Sequence, residues 1–131
     1  MASQSVFATQ KFDGVWEQTF RDNIGVTPRD QIIESQYAFT LTGEAVVNTR
    51  LTAFADTYLY LCRVNFFGQL DVVHADYGGG GLNVDGRYLG ETVIEKTLSS
   101  GDYVIVPTTF NPGVYITPVA YALEITIVPN S

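Results

Sequence analysis

The chain has 131 residues, 46% hydrophobic and 16% charged, which fits one globular domain over 1–131 and excludes a polar, disordered chain. Seven Lys and Arg against fourteen Asp and Glu give a net charge of −7, with Lys11 and Lys96 the only lysines, and such a surface argues against nucleic acid as a partner. A lone cysteine, Cys62, makes no internal disulfide and favours a reducing, cytoplasmic setting.

Met1-Ala2-Ser3-Gln4 reads neither as a secretory leader nor as a myristoylation site. No apolar stretch approaches the roughly 20 residues of a spanning helix. Any membrane contact is therefore expected to be peripheral. Val15, Glu17 and Thr19 alternate with Trp16, Gln18 and Phe20, the period of a strand. A loop over Asp22–Gln31 follows, with Gly25, Pro28 and interspersed charges. Tyr37–Gly43 and Ala45–Leu51 read as the next strands. Thr57–Phe67 (TYLYLCRVNFF) is the most hydrophobic run and is expected as a central strand with both faces largely covered. A turn at Phe67-Gly68 leads into Gln69–Asp76, making a hairpin. The second long loop, Asp76–Asn83, contains Gly78, Gly79, Gly80 and Gly81. Thr92–Leu98 and Tyr103–Val106 flank a turn at Ser99–Asp102. Pro107, which has no N–H for a ladder, is expected to end that strand. Val119–Val128 closes the chain. About eight strands at short, regular spacing predict an all-β, two-sheet antiparallel β-sandwich.

The segment from Gly101 to Pro112, GDYVIVPTTFNP, resembles the last conserved element of calpain domain III, a C2-like β-sandwich. In that family a glycine-led G-x-Y-V-I-V-P strand is followed by S/T-T-F-x-P and a final strand, here Ala120–Val128. Tyr37–Gly43 and Glu91–Ser99 are similar to that family in order and spacing. Gly113–Pro118 departs from its acidic bulge. The resemblance implies an accessory module without the papain-like catalytic domain, docking on a protein partner such as a calpain-like protein. By likeness to C2 domains it also implies calcium-assisted binding to phospholipid, with peripheral membrane contact.

For calcium the candidate ligands are Asp22, Asp30, Asp76 and Asp85, because the ion needs several loop carboxylates that converge. There is no D-x-D pair and no EF-hand loop, and turn-forming aspartates are the plainer reading. The candidate binding loop is Asp76, Gly78, Gly79, Gly80, Gly81 and Asp85. As a phosphate cradle the glycine run lacks the Lys-Ser/Thr that follows a Walker loop. Cys62 and His74 as a thiolate–imidazole pair are set against a buried strand cysteine and a strand histidine. No nucleophile, base and oxyanion donors stand together, so no enzyme is expected and no other cofactor. Tyr58 and Tyr60 alternate with Leu59 and Leu61, so one pair faces each side. An open tyrosine face offers a surface for a protein partner, and ordinary packing is the competing reading. A structural subunit pairing through poorly protected edge strands also fits, since only two lysines are available to guard them.

Overall fold

A computed structural model describes residues 2–5, 9–16, 31–33, 35–78, 82–84, 87–110 and 119–129. Among them the elements are β1 (Ala2–Ser5), β2 (Thr9–Trp16), β3 (Gln31–Ile33), β4 (Ser35–Leu41), β5 (Ala45–Ala53), β6 (Thr57–Val64), β7 (Leu70–Gly78), β8 (Leu82–Val84), β9 (Arg87–Leu98), β10 (Gly101–Phe110) and β11 (Val119–Pro129). The eight longer strands form two antiparallel layers, β4-β10-β6-β7 in sheet A and β2-β11-β5-β9 in sheet B. The short β1 joins β4 in parallel, β3 joins β10, and β8 joins β9. The protein is an all-β sandwich of the predicted class.

Alternation builds the core. In β4, Tyr37, Phe39 and Leu41 point inward, and Val47 and Leu51 of β5, Leu59 and Leu61 of β6, Ile105 of β10 and Leu123 and Ile125 of β11 do the same. Burying each such side chain contributes about 1.5–3 kcal/mol. Buried polar contacts cross between the sheets. The Tyr37 and Tyr121 hydroxyls meet at 2.7 Å, the Thr57 and Thr92 hydroxyls meet at 2.7 Å, and Trp16 Nε1 donates to the Pro107 carbonyl at 3.3 Å. These fix the relative placement of the layers, because a slip would leave buried hydroxyls and an indole N–H unpaired at about 1–3 kcal/mol each.

Pro107 does not end its strand, which runs on to Phe110 in the middle of sheet A. Pairing with β4 stops at Ile105↔Tyr37 and pairing with β3 starts at Thr108↔Ile33. Pro107 thus falls in a gap of the ladder where no N–H is asked for, and its carbonyl is taken by Trp16. Other boundaries move as well. The β6 strand stops at Val64 rather than Phe67 because Asn65 opens a turn, and β7 runs past Asp76 to Gly78. The expected strand at 15–20 begins earlier, at Thr9, and 17–20 lie outside the described residues.

Candidate functional site

Leu59 and Leu61 are fully buried in the core, so Tyr58 and Tyr60 must face outward from sheet A. Opposite them on β7 stand Tyr77 and Ala75, and Val72 and Leu70 stand opposite Cys62 and Val64. The register shifts between Leu61 and Cys62, leaving Val73 as an extra, bulged residue on β7. Toward the centre of this outer face Ile33, Cys62, Val104 and Val106 form a second buried cluster, with Ala38, Tyr60, Val64 and Leu70 packed against it. Toward the edge the apolar surface stays open, with Val72 48%, Val73 37% and Tyr77 51% exposed. The Tyr58 and Tyr77 rings stack at 4.5 Å and 24°. Burial raises the Tyr58 phenol to about 12, and the neighbouring Tyr77 and the Asp56 carboxylate push it the same way.

The hairpin joining β6 to β7 carries Phe66, 97% exposed, and Phe67, 81% exposed. It is a held turn. The Asn65 carboxamide oxygen accepts from the Phe67 N–H at 2.9 Å and the Gln69 N–H at 3.0 Å, and its nitrogen donates to Asp71 Oδ1 at 3.4 Å. The backbone adds Gly68 N–H to the Asn65 carbonyl and Asn65 N–H to the Gln69 carbonyl. Gly68 has φ +78°, a conformation that suits glycine and closes the turn. Asparagine thus holds two phenylalanines out in water on a fixed backbone. Beside the turn lies an open cavity of about 640 Å³, floored by Val64, Leu70 and Val104 and walled by Gln36, Gln69 and Asp71.

The other outer surface, on sheet B, sets cross-strand polar pairs among exposed valines, with Val15 41%, Val93 37% and Val128 54% exposed. Lys11 of β2 pairs with Glu124 of β11 at 3.6 Å, Arg50 of β5 lies 4.0 Å from Glu91 of β9, and Asn48 donates to Glu95 at 3.4 Å.

Of the aspartates expected to hold calcium, Asp22, Asp30 and Asp85 lie outside the described residues, as do Gly79, Gly80 and Gly81 of the expected binding loop. Asp76 and Gly78 stand on β7 and not in a loop, and Asp76 Oδ1 accepts its neighbour's Tyr77 N–H at 2.8 Å. Among the described residues no three His, Cys, Asp or Glu side chains gather as a metal would require. His74 pairs with Leu61 and Cys62 with Val72, so alternation sends imidazole and thiol to opposite faces of sheet A. Cys62 is buried and makes no disulfide. Asp71, His74 and Asp76 share the inward side of the edge strand, each exposed, and with the Val73 bulge they guard that edge against strand addition where lysine is missing. Sequence reasoning passed over Asn65 and the Phe66-Phe67 pair, although Asn followed three residues later by Gly is a turn signal.

No protein-family model and no curated protein matches the chain. Among solved structures it is similar to CorA, a surface-associated copper-binding protein of Methylomicrobium album BG8, at TM-score 0.63 and 9% identity over 98% of this chain and 100% of that one. It is also similar to the pre-peptidase C-terminal domain of a Bacillus anthracis collagenase, at TM-score 0.55 and 8% identity over 95% and 93%. At such identities the likeness shows a shared β-sandwich fold, and neither structure is a calpain domain III or a C2 domain.

Proposed function

We propose that this chain is a non-catalytic interaction module that docks on a protein partner through the outer face of the β6–β7 hairpin. One observation carries the reading. Two adjacent phenylalanines are almost fully in water on a turn held by Asn65, at the tip of a hairpin that also leaves Val72, Val73 and Tyr77 exposed. Exposed aromatics on a rigid support lose little entropy on binding and are the usual anchors of interfaces. Large contiguous apolar surface on a soluble protein marks an interaction site. The resemblance to calpain domain III supports the same accessory role, with a calpain-like protein as one partner class. Cys62, buried and outside any disulfide, fits a reducing, cytoplasmic setting. For the calcium–phospholipid reading the described residues supply only Asp76, which sits on a strand.

The test is photo-crosslinking in extract of the source cells, with p-benzoyl-phenylalanine replacing Phe67 and, as control, replacing Val93 on the outer face of sheet B. A discrete adduct at 67, abolished by Phe66→Ser and missing at 93, is the expected result. No discrete adduct at 67, or the same adduct at 93, overturns it. Sedimentation with phosphatidylcholine–phosphatidylserine vesicles is the companion measurement. Pelleting that needs Phe66 and Phe67 replaces the protein partner with a lipid surface, and pelleting that also needs calcium restores the C2-like reading.

A further inference from the structure

We propose that this chain pairs with a second copy of itself along β2, edge to edge and antiparallel, so that the two copies of sheet B run on as one sheet. Among the described residues sheet A ends on β1, β3 and β7, and sheet B on β8 and β2. The strands β1, β3 and β8 have only four, three and three residues. The β7 edge is bulged at Val73 and carries Asp71, His74 and Asp76 on its inward side. Short length, bulges and inward charges keep an edge from adding a strand. The β2 edge has none of these. Its eight residues hold an unbroken register against β11 from Thr9 to Trp16, without proline, and no described strand pairs its other side.

The order of side chains along β2 selects the partner. Thr9, Lys11, Asp13 and Val15 face outward and are exposed, while Phe12 turns in, partly buried against the core. Where two such strands pair antiparallel, directly opposite residues share a face. A twofold axis at Phe12 sets Lys11 of each copy against Asp13 of the other, Thr9 against Val15, and Phe12 against Phe12 beneath the sheet. An axis at Lys11 or at Asp13 instead sets like charges opposite each other, which is unfavourable. Arg50, Glu124 and Lys11 already lie in one cross-strand row, with Lys11 3.6 Å from Glu124. Asp13 of the second copy continues that row with alternating sign. The net charge of −7 on each copy opposes association, but exposed charges farther apart than about 8 Å are largely screened at physiological salt, so the two close pairs decide. A twofold contact of this kind closes on itself and yields a dimer.

The experiment is sedimentation equilibrium of the full chain over a broad concentration range at physiological salt, with variants that exchange the two charges. A reversible monomer–dimer equilibrium is expected for the natural chain. Lys11→Asp makes both opposed pairs acidic and Asp13→Lys makes both basic, so each should weaken the dimer about tenfold or more, the combined effect of turning two attractive cross-strand pairs repulsive. Mixed in equal amounts, the two variants should form a heterodimer, because every opposed pair is again of unlike sign, and the double variant should recover the dimer. Chains that fail to fold cannot pair in the mixture, so this rescue separates a lost contact from a lost fold. A natural chain that stays monomeric throughout, a dimer insensitive to both single exchanges, or a mixture without heterodimer overturns the inference. So does a dimer abolished by Phe66→Ser with Phe67→Ser, which moves self-association to the β6–β7 hairpin. The docking face proposed above is tested by its own crosslink and stands or falls independently of β2.

Discussion

The two outer faces of this sandwich are built from the same alternating strands and differ in what they set beside their exposed apolar side chains: paired charges on sheet B, tyrosine rings on sheet A. On sheet B the outward positions carry Lys11, Glu124, Arg50, Glu91, Asn48 and Glu95, which pair across neighbouring strands, interspersed with Val15, Val46, Val93 and Val128. On sheet A they carry Val104, Val106, Cys62, Tyr58, Tyr60, Val72 and Tyr77, buried toward the centre and open toward β7. Cross-strand polar pairs are satisfied in water. An apolar surface left open forgoes about 25 cal/mol for each Å² that a partner would cover. The difference teaches that sheet A sets its exposed Tyr77 and the Phe66-Phe67 tip on one hairpin, and that this tip is held by a hydrogen-bonded turn and not by packing.

The comparison is sharpest if the inner faces behave alike. Leu61→Ala in sheet A and Leu51→Ala in sheet B should each cost about 2–5 kcal/mol in urea unfolding, since both side chains are fully buried. Gly90→Ala belongs with them at about 3 kcal/mol, because a Cβ there would overlap the Ala55 carbonyl oxygen. A cost well under 1 kcal/mol at any of the three would mean that the core is not shared as described.

Outer-face changes should then separate. Phe66→Ser with Phe67→Ser should weaken partner binding by about 2 kcal/mol or more while moving unfolding by no more than about 0.5 kcal/mol. Equal binding in that variant breaks the contrast between the faces. Asn65→Ala should cost about 1–2 kcal/mol of stability by removing the side-chain hydrogen bonds of the turn, and should also weaken binding because the phenylalanines lose their fixed frame. Loss of stability with binding intact would show that the turn's rigidity is irrelevant to docking. On sheet B, Lys11→Met should change stability by less than about 1 kcal/mol and leave partner binding untouched, as expected of an exposed ion pair.

The smallest effect is on pH. The folded Tyr58 phenol titrates at about 12, above its ordinary value of 10, so the unfolded chain releases that proton first as the pH rises. Its contribution is fully present below pH 10 and is lost between pH 10 and 12. Tyr58→Phe should therefore lose less stability than the natural chain across that window in urea unfolding at stepped pH. Parallel slopes would mean that the phenol is not held neutral by its setting.

The β-period was legible wherever one face met the core. In the structure Ala45–Leu51, Thr92–Leu98 and Val119–Val128 bury one set of side chains and leave the other outward, although the sequence of Ala45–Leu51 shows that alternation only in part. The run TYLYL is different, since Tyr and Leu are both apolar enough to be core and periodicity cannot say which pair is inside. Only the second sheet settles it, by covering Leu59 and Leu61 and leaving the tyrosines outward beside Tyr77, nineteen positions after Tyr58 in sequence. Pro107 teaches the same point. The residue fixed the missing N–H, but only the register of β3 and β4 decided that nothing there required one. The sequence by itself determined strands, turns and an acidic surface, because propensity and charge are local. Tertiary structure decided which apolar face stays open, because burial depends on what the rest of the chain places across from it.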